Sequence, residues 1–170
     1  AHLEMVGNLE GVARAKGELL EEISPRGKAV LNGEDPRLRT LGDLFAGEVI
    51  YYGFNEACTV KGSNLQSWEK GVKFKLQLPL GKTEIFLPYN GRHNVLNALA
   101  ASAVGYLLGL NLAEIKEGLE GARITEGRLS VVQKKEVVVI NDTYNANPTS
   151  VRASLEALDE MARGGRKGAI

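Results

Sequence analysis

A single cysteine, Cys58, rules out an internal disulfide, and with no second thiol or nearby histidine it lacks metal-ligand spacing. It reads as a small apolar packing residue in a protein of a reducing compartment. No uninterrupted apolar run approaches the roughly 18–20 residues that a membrane span needs, and no charged-then-apolar leader opens the chain. The expectation is a cytoplasmic protein with no membrane span. Net charge is missing too: 21 Lys and Arg balance 21 Asp and Glu, which removes the electrostatic basis for wholesale binding to nucleic acid or an anionic membrane. A local anion site remains open. There is no internal repeat and no low-complexity tract. The 170 residues suffice for one domain, or one and a fraction, and a monomer is expected.

What is present alternates between helix and strand patterns. Asn8 can cap a helix in which Leu9, Val12, Ala13, Lys16, Leu19, Leu20 and Ile23 recur at three- and four-residue steps, stopped by Pro25-Arg26-Gly27. Lys28 to Asn32 reads as a buried strand that delivers the polar Gly33-Glu34-Asp35-Pro36 at its carboxyl end. A helix or turn over 36–45 follows. From Glu48 to Pro88 the pattern is strands, with Val72, Phe74, Leu76 and Leu78 alternating with polar residues, as in a half-exposed antiparallel sheet.

The segment Asn90 to Leu108 is a nearly all-apolar helix with Gly109 as its stop, and a second helix, Leu112 to Leu119, closes at Gly121. The loop Ala122 to Gly127 is a candidate domain boundary, dividing 1–127 from 128–170. Beyond it, Leu129 to Val132 and Val137 to Ile140 form a hairpin. Asn147-Pro148 can then start a helix carrying Val151, Leu155, Leu158 and Met161, the opening of an α/β domain. The chain stops where the next strand should begin, so the sequence reads as a fragment.

Four places carry candidate chemistry. Lys16 sits on the apolar stripe of its helix, where it either snorkels or, if desolvated, reacts with carbon dioxide to give a carbamate suited to a hard cation; His2 lies upstream. Arg92, His93, Asn94 and Asn97 occupy the first turns of an apolar helix, whose free N–H groups favour an electron-rich ligand. Asn94 and Asn97 share a face and either read a purine edge or cap the helix. Asp142 ends a strand where open α/β sheets bind ligands, and can accept from ribose hydroxyls; Arg128 has a fork suited to phosphate. Tyr144, Asn145 and Asn147 precede Pro148 in a loop able to bind a peptide-like substrate. Turn or cap roles stand beside these functional ones.

Together these segments resemble the Mur ligases along nearly the whole chain. Ala1-His2-Leu3-Glu4 and Gly11 to Glu18 are similar to that family's metal-binding histidine and carbamylated lysine. Gly91-Arg92-His93-Asn94-Val95-Leu96-Asn97-Ala98 resembles its adenine-binding helix, and Gly127-Arg128-Leu129 with Ile140 to Pro148 resembles the entry to its third domain. The Tyr144-Asn145-Ala146-Asn147-Pro148 ending is similar to the members that add D-alanyl-D-alanine.

The resemblance implies an α/β fold. It would hold part of a central ATPase domain, with a parallel sheet, helices and a small antiparallel sheet, and the first β-α elements of a Rossmann-like C-terminal domain. It implies ATP and Mg2+, with His2 and carbamylated Lys16 as metal ligands, His93, Asn94 and Asn97 toward adenine and Asp142 toward ribose. Arg128 would face the phosphates, which makes Lys16 and Arg128 the catalytic candidates, and Tyr144, Asn145 and Asn147 would meet substrate. The implied reaction activates a carboxylate of UDP-N-acetylmuramoyl-tripeptide as an acyl phosphate, which the amine of D-alanyl-D-alanine attacks.

One departure is plain. The family's glycine-rich phosphate loop is absent, and Gly81-Lys82-Thr83, which imitates its ending, reads as part of a hairpin. The fragment is therefore not expected to catalyse the reaction alone. Two other readings remain: a folylpolyglutamate synthase-like amino-acid ligase, and a non-catalytic nucleotide-binding module.

Overall fold

The computed structural model describes residues 8–68, 71–123, 130–134, 137–143 and 148–161. Helix α1 spans Leu9–Glu21 and is capped by Asn8, whose side chain accepts from the Gly11 N–H at 2.8 Å. It meets helix α2, Pro36–Leu44, at Gly17, where an added Cβ would lie 2.9 Å from Leu41 Cδ2. That contact also sets the surroundings of Lys16. Gly17 lies at one edge of the apolar stripe and lets the helices approach there, so the centre of the stripe turns outward and Lys16 is exposed beside Leu9 and Leu19.

Strand β1, Lys28–Asn32, pairs in parallel with β2, Glu48–Gly53, and α2 connects them with Asp35 as N-cap and Pro36 in its first turn. Strands β3, Val60–Trp68, β4, Gly71–Leu78, and β5, Gly81–Leu87, complete one sheet in the order β1-β2-β3-β4-β5. The stretch expected to be antiparallel throughout is mixed. β2 is parallel to both its neighbours, and only β3, β4 and β5 alternate in direction. Parallel neighbours usually need a long crossover. Here β2 and β3 overlap only at Tyr52↔Val60 and Gly53↔Lys61, so the short connection 54–59 suffices.

The alternation in β4 places Val72, Phe74, Leu76 and Leu78 inward, all at 4% exposure or less. They pack with Ile85 and Leu87 of β5 against helix α3, Arg92–Leu107, which buries Val95, Ala98, Leu99 and Ala103. Each fully buried large side chain contributes roughly 1.5–3 kcal/mol. Cys58 is buried as expected, and that burial pushes its thiol's pKa up. Gly81, Lys82 and Thr83 open β5 behind the Pro79-Leu80 turn, with Leu78 opposite Gly81, so this is a hairpin as expected.

Helix α3 ends in a Schellman turn. Gly109 has φ +85°, Leu110 N–H donates to Gly105 at 3.0 Å and Gly109 N–H to Tyr106 at 3.1 Å. Helix α4, Leu112–Glu120, starts with a capping box between Asn111 and Glu114. It lies on edge strand β5, where Glu120 accepts from the Phe86 N–H at 3.0 Å and Lys116 donates to the Glu84 carbonyl at 2.7 Å. A separate hairpin, β6 at Ser130–Lys134 and β7 at Val137–Asn141, precedes helix α5, Pro148–Met161.

Candidate nucleotide site

Helix α3 begins at Gly91, whose φ of +102° is left-handed and suits glycine. The His93 ring lies over it: a Cβ at residue 91 would stand 2.6 Å from His93 Cε1. No side chain caps this helix. The Asn94 side chain makes a local bond at the helix start: its Nδ2 donates to the Asn90 carbonyl at 2.7 Å, while Asn90 is itself buried and donates through Nδ2 to the Trp68 carbonyl at 2.8 Å. One Asn94 hydrogen is thus committed, and its Oδ1 keeps its acceptor capacity.

At 100° per residue His93, Asn94 and Asn97 share one flank of α3, away from the buried Val95 and Leu99. Arg92 is on the other flank, with its guanidinium 3.6 Å from the Phe54 ring centroid and 3.6 Å from Glu34 Oε2. The other Glu34 oxygen accepts from the Phe54 and Asn55 N–H groups at 2.9 and 3.1 Å. Glu34 thereby ties the carboxyl end of β1, the β2–β3 connection and the start of α3 together. Sequence reasoning placed polar groups after β1 but gave Glu34 no role, because its partners lie about twenty and nearly sixty residues away.

Asp142 follows β7 and comes close enough to His93 to act on it electrostatically, as does Glu156 of α5. Burial lowers the His93 pKa, and the two carboxylates oppose that shift. The structure thus sets His93, Asn94 and Asn97 on one flank of α3 and gives His93 two carboxylate influences, Asp142 and Glu156, the second an addition the sequence did not signal. Asp142 also accepts a hydrogen bond from the Ser154 hydroxyl through Oδ2. Lys16 stands apart on α1. His2, Arg128, Tyr144, Asn145 and Asn147, expected at the site, lie outside the described residues, and among the described residues no group of three or more His, Cys, Asp or Glu forms a metal cluster.

Family models match both parts of the chain: the Mur ligase middle domain matches residues 1–105, and the Mur ligase, glutamate ligase domain matches 127–170. The chain belongs to the Mur ligase family. Among relatives, UDP-N-acetylmuramoyl-tripeptide--D-alanyl-D-alanine ligase of Haemophilus influenzae is 38% identical over 93% of this chain and 34% of its own length. Crystal structure I of MurF from Acinetobacter baumannii superposes with a TM-score of 0.87 at 36% identity, covering 93% of this chain and 35% of that one. The MurF ligase of Thermotoga maritima in complex with ADP gives a TM-score of 0.82 at 26% identity, covering 93% and 36%. This chain therefore spans about a third of the length of the relatives it matches. Among the described residues no helix is long and apolar enough to cross a membrane.

Proposed function

We propose that the protein carrying this chain is an ATP-dependent ligase that joins D-alanyl-D-alanine to UDP-N-acetylmuramoyl-tripeptide in the cytoplasm, acting as a monomer. What supports this reading is the shared flank of His93, Asn94 and Asn97, with the Asp142 carboxylate acting on His93, together with the similarity to a MurF in complex with ADP. Asn94 Oδ1 accepts from the exocyclic amine of adenine, a polarity set by the bond from Asn94 Nδ2 to Asn90. Asn97 supplies the matching donor, and Asp142 accepts from ribose. Residues 1–127 form the later part of the central domain and 128–170 the start of the C-terminal one.

In the proposed reaction the tripeptide carboxylate takes the γ-phosphoryl group of ATP and releases ADP. The dipeptide amine then attacks the activated carbonyl, expels phosphate and loses a proton. Arg128 faces the phosphates, and Tyr144, Asn145 and Asn147 face the peptide substrate. Mg2+ at His2 and a carbamate on Lys16 belong to this proposal through the resemblance alone, since Lys16 is exposed, whereas a carbamate calls for a desolvated amine.

The test is phosphate release by the full-length protein with ATP, Mg2+, the UDP-linked tripeptide and D-alanyl-D-alanine, in wild type, Lys16→Ala and Asp142→Ala. Release that needs both substrates and falls at least tenfold in Asp142→Ala, a loss of about 1.4 kcal/mol or more, is expected. A Lys16→Ala rate equal to wild type would remove Lys16 from the catalytic set. Release independent of the dipeptide would overturn the assignment in favour of another amino-acid ligase, and no release under any condition would favour the non-catalytic module.

A further inference from the structure

Asp142 is held by a neighbour that no motif pointed to. Ser154, half-buried near the middle of α5, directs its hydroxyl at Asp142 Oδ2 and also lies 2.9 Å from the Ser150 carbonyl. A hydroxyl has one hydrogen to give. The Ser150 carbonyl already takes the Ser154 N–H in the helical ladder, whereas a carboxylate is the stronger acceptor, so the hydrogen goes to Asp142. On the other side of Asp142 the chain is closed locally: Asn141 Oδ1 accepts from the Thr143 hydroxyl at 2.8 Å and from its N–H at 3.3 Å. The Asp142 side chain is thus directed toward α5 and steadied by it.

We propose that Ser154 is a positioning residue for Asp142: by fixing Oδ2 it sets the carboxylate so that Oδ1 is presented to the ribose hydroxyls of the bound nucleotide. This rests on the proposed role of Asp142 toward ribose. A carboxylate ordered in advance spares the cost of immobilising it when the ligand arrives, which corresponds to roughly three- to tenfold in affinity. That advantage exists only for a nucleotide with hydroxyls to offer.

The experiment is a calorimetric titration of the full-length protein with ATP and with 2′,3′-dideoxy-ATP, in wild type, Ser154→Ala, Ser154→Thr and Asp142→Ala. Wild type prefers ATP. Ser154→Ala shrinks that preference about three- to tenfold while binding dideoxy-ATP as wild type does, and Ser154→Thr, which keeps the hydroxyl, restores it. An unchanged preference in Ser154→Ala, or an equal loss for both nucleotides, overturns the positioning role. A wild type indifferent to the hydroxyls, or an Asp142→Ala variant that keeps the wild-type preference, instead removes the ribose assignment on which the proposal stands.

Discussion

Burial lowers the His93 pKa, while Asp142 and Glu156 pull the other way and burial wins. A histidine whose folded pKa is below its ordinary 6.5 takes up a proton more readily when the chain unfolds. Its contribution to stability is therefore complete above pH 6.5 and is lost as pH falls toward the lowered folded value. Urea midpoints at pH 7.5, 6.5 and 5.5 should fall more steeply below 6.5 for wild type than for His93→Gln. Parallel slopes would mean that the ring is solvated in the native state. Asn94 and Asn97 were legible as a pair because helical spacing puts them on one face, and Asp142 because it ends an apolar strand. Glu34 and Ser154 were not, since each acts through a partner brought near only by folding.

Most elements were readable from their punctuation. Asn8 was legible as the cap of the helix that follows, Asp35 and Asn111 emerge as caps in the structure, and the alternation in β4 gave its buried face residue by residue. What misled was direction: alternation gives a strand its two faces but says nothing about the sense of its neighbours, so the parallel β2–β3 pairing was invisible. Likewise a helical stripe does not reveal which of its edges meets a partner, and Gly17 decided that for α1. Two glycines should respond with opposite signs to the same change. Gly109 has open space around it but a φ of +85°, so Gly109→Ala should cost about 1–2 kcal/mol through backbone strain alone. Gly118, inside α4 with equally open space, should gain about 0.5–1 kcal/mol on becoming alanine. Thermal melts of both variants check this, and a shift in the same direction for both would contradict it.

Across the molecule, burial is concentrated in one place. Phe74, Leu76, Ile85, Leu87 and Leu99 are at 1% exposure or less, whereas Val137, Val138 and Val139 of β7 stand at 60, 48 and 47%. Amide exchange should accordingly be slowest in β4, β5 and the middle of α3 and much faster in the β6–β7 hairpin, because a two-stranded hairpin has little stability of its own. Equal protection in the two sheets, measured by mass spectrometry after deuterium labelling, would show that the hairpin is stabilised as strongly as the larger sheet. His93 belongs to the firmer region, and Asp142 follows the softer hairpin.

The outer rim of the larger sheet is finished differently from its interior. Lys116 and Glu120 of α4 answer the Glu84 carbonyl and the Phe86 N–H, which a further strand would otherwise have satisfied. A second molecule growing onto β5 would have to expel both side chains before forming its first ladder bond, so α4 works as a selvedge that keeps the weave from being extended by strangers.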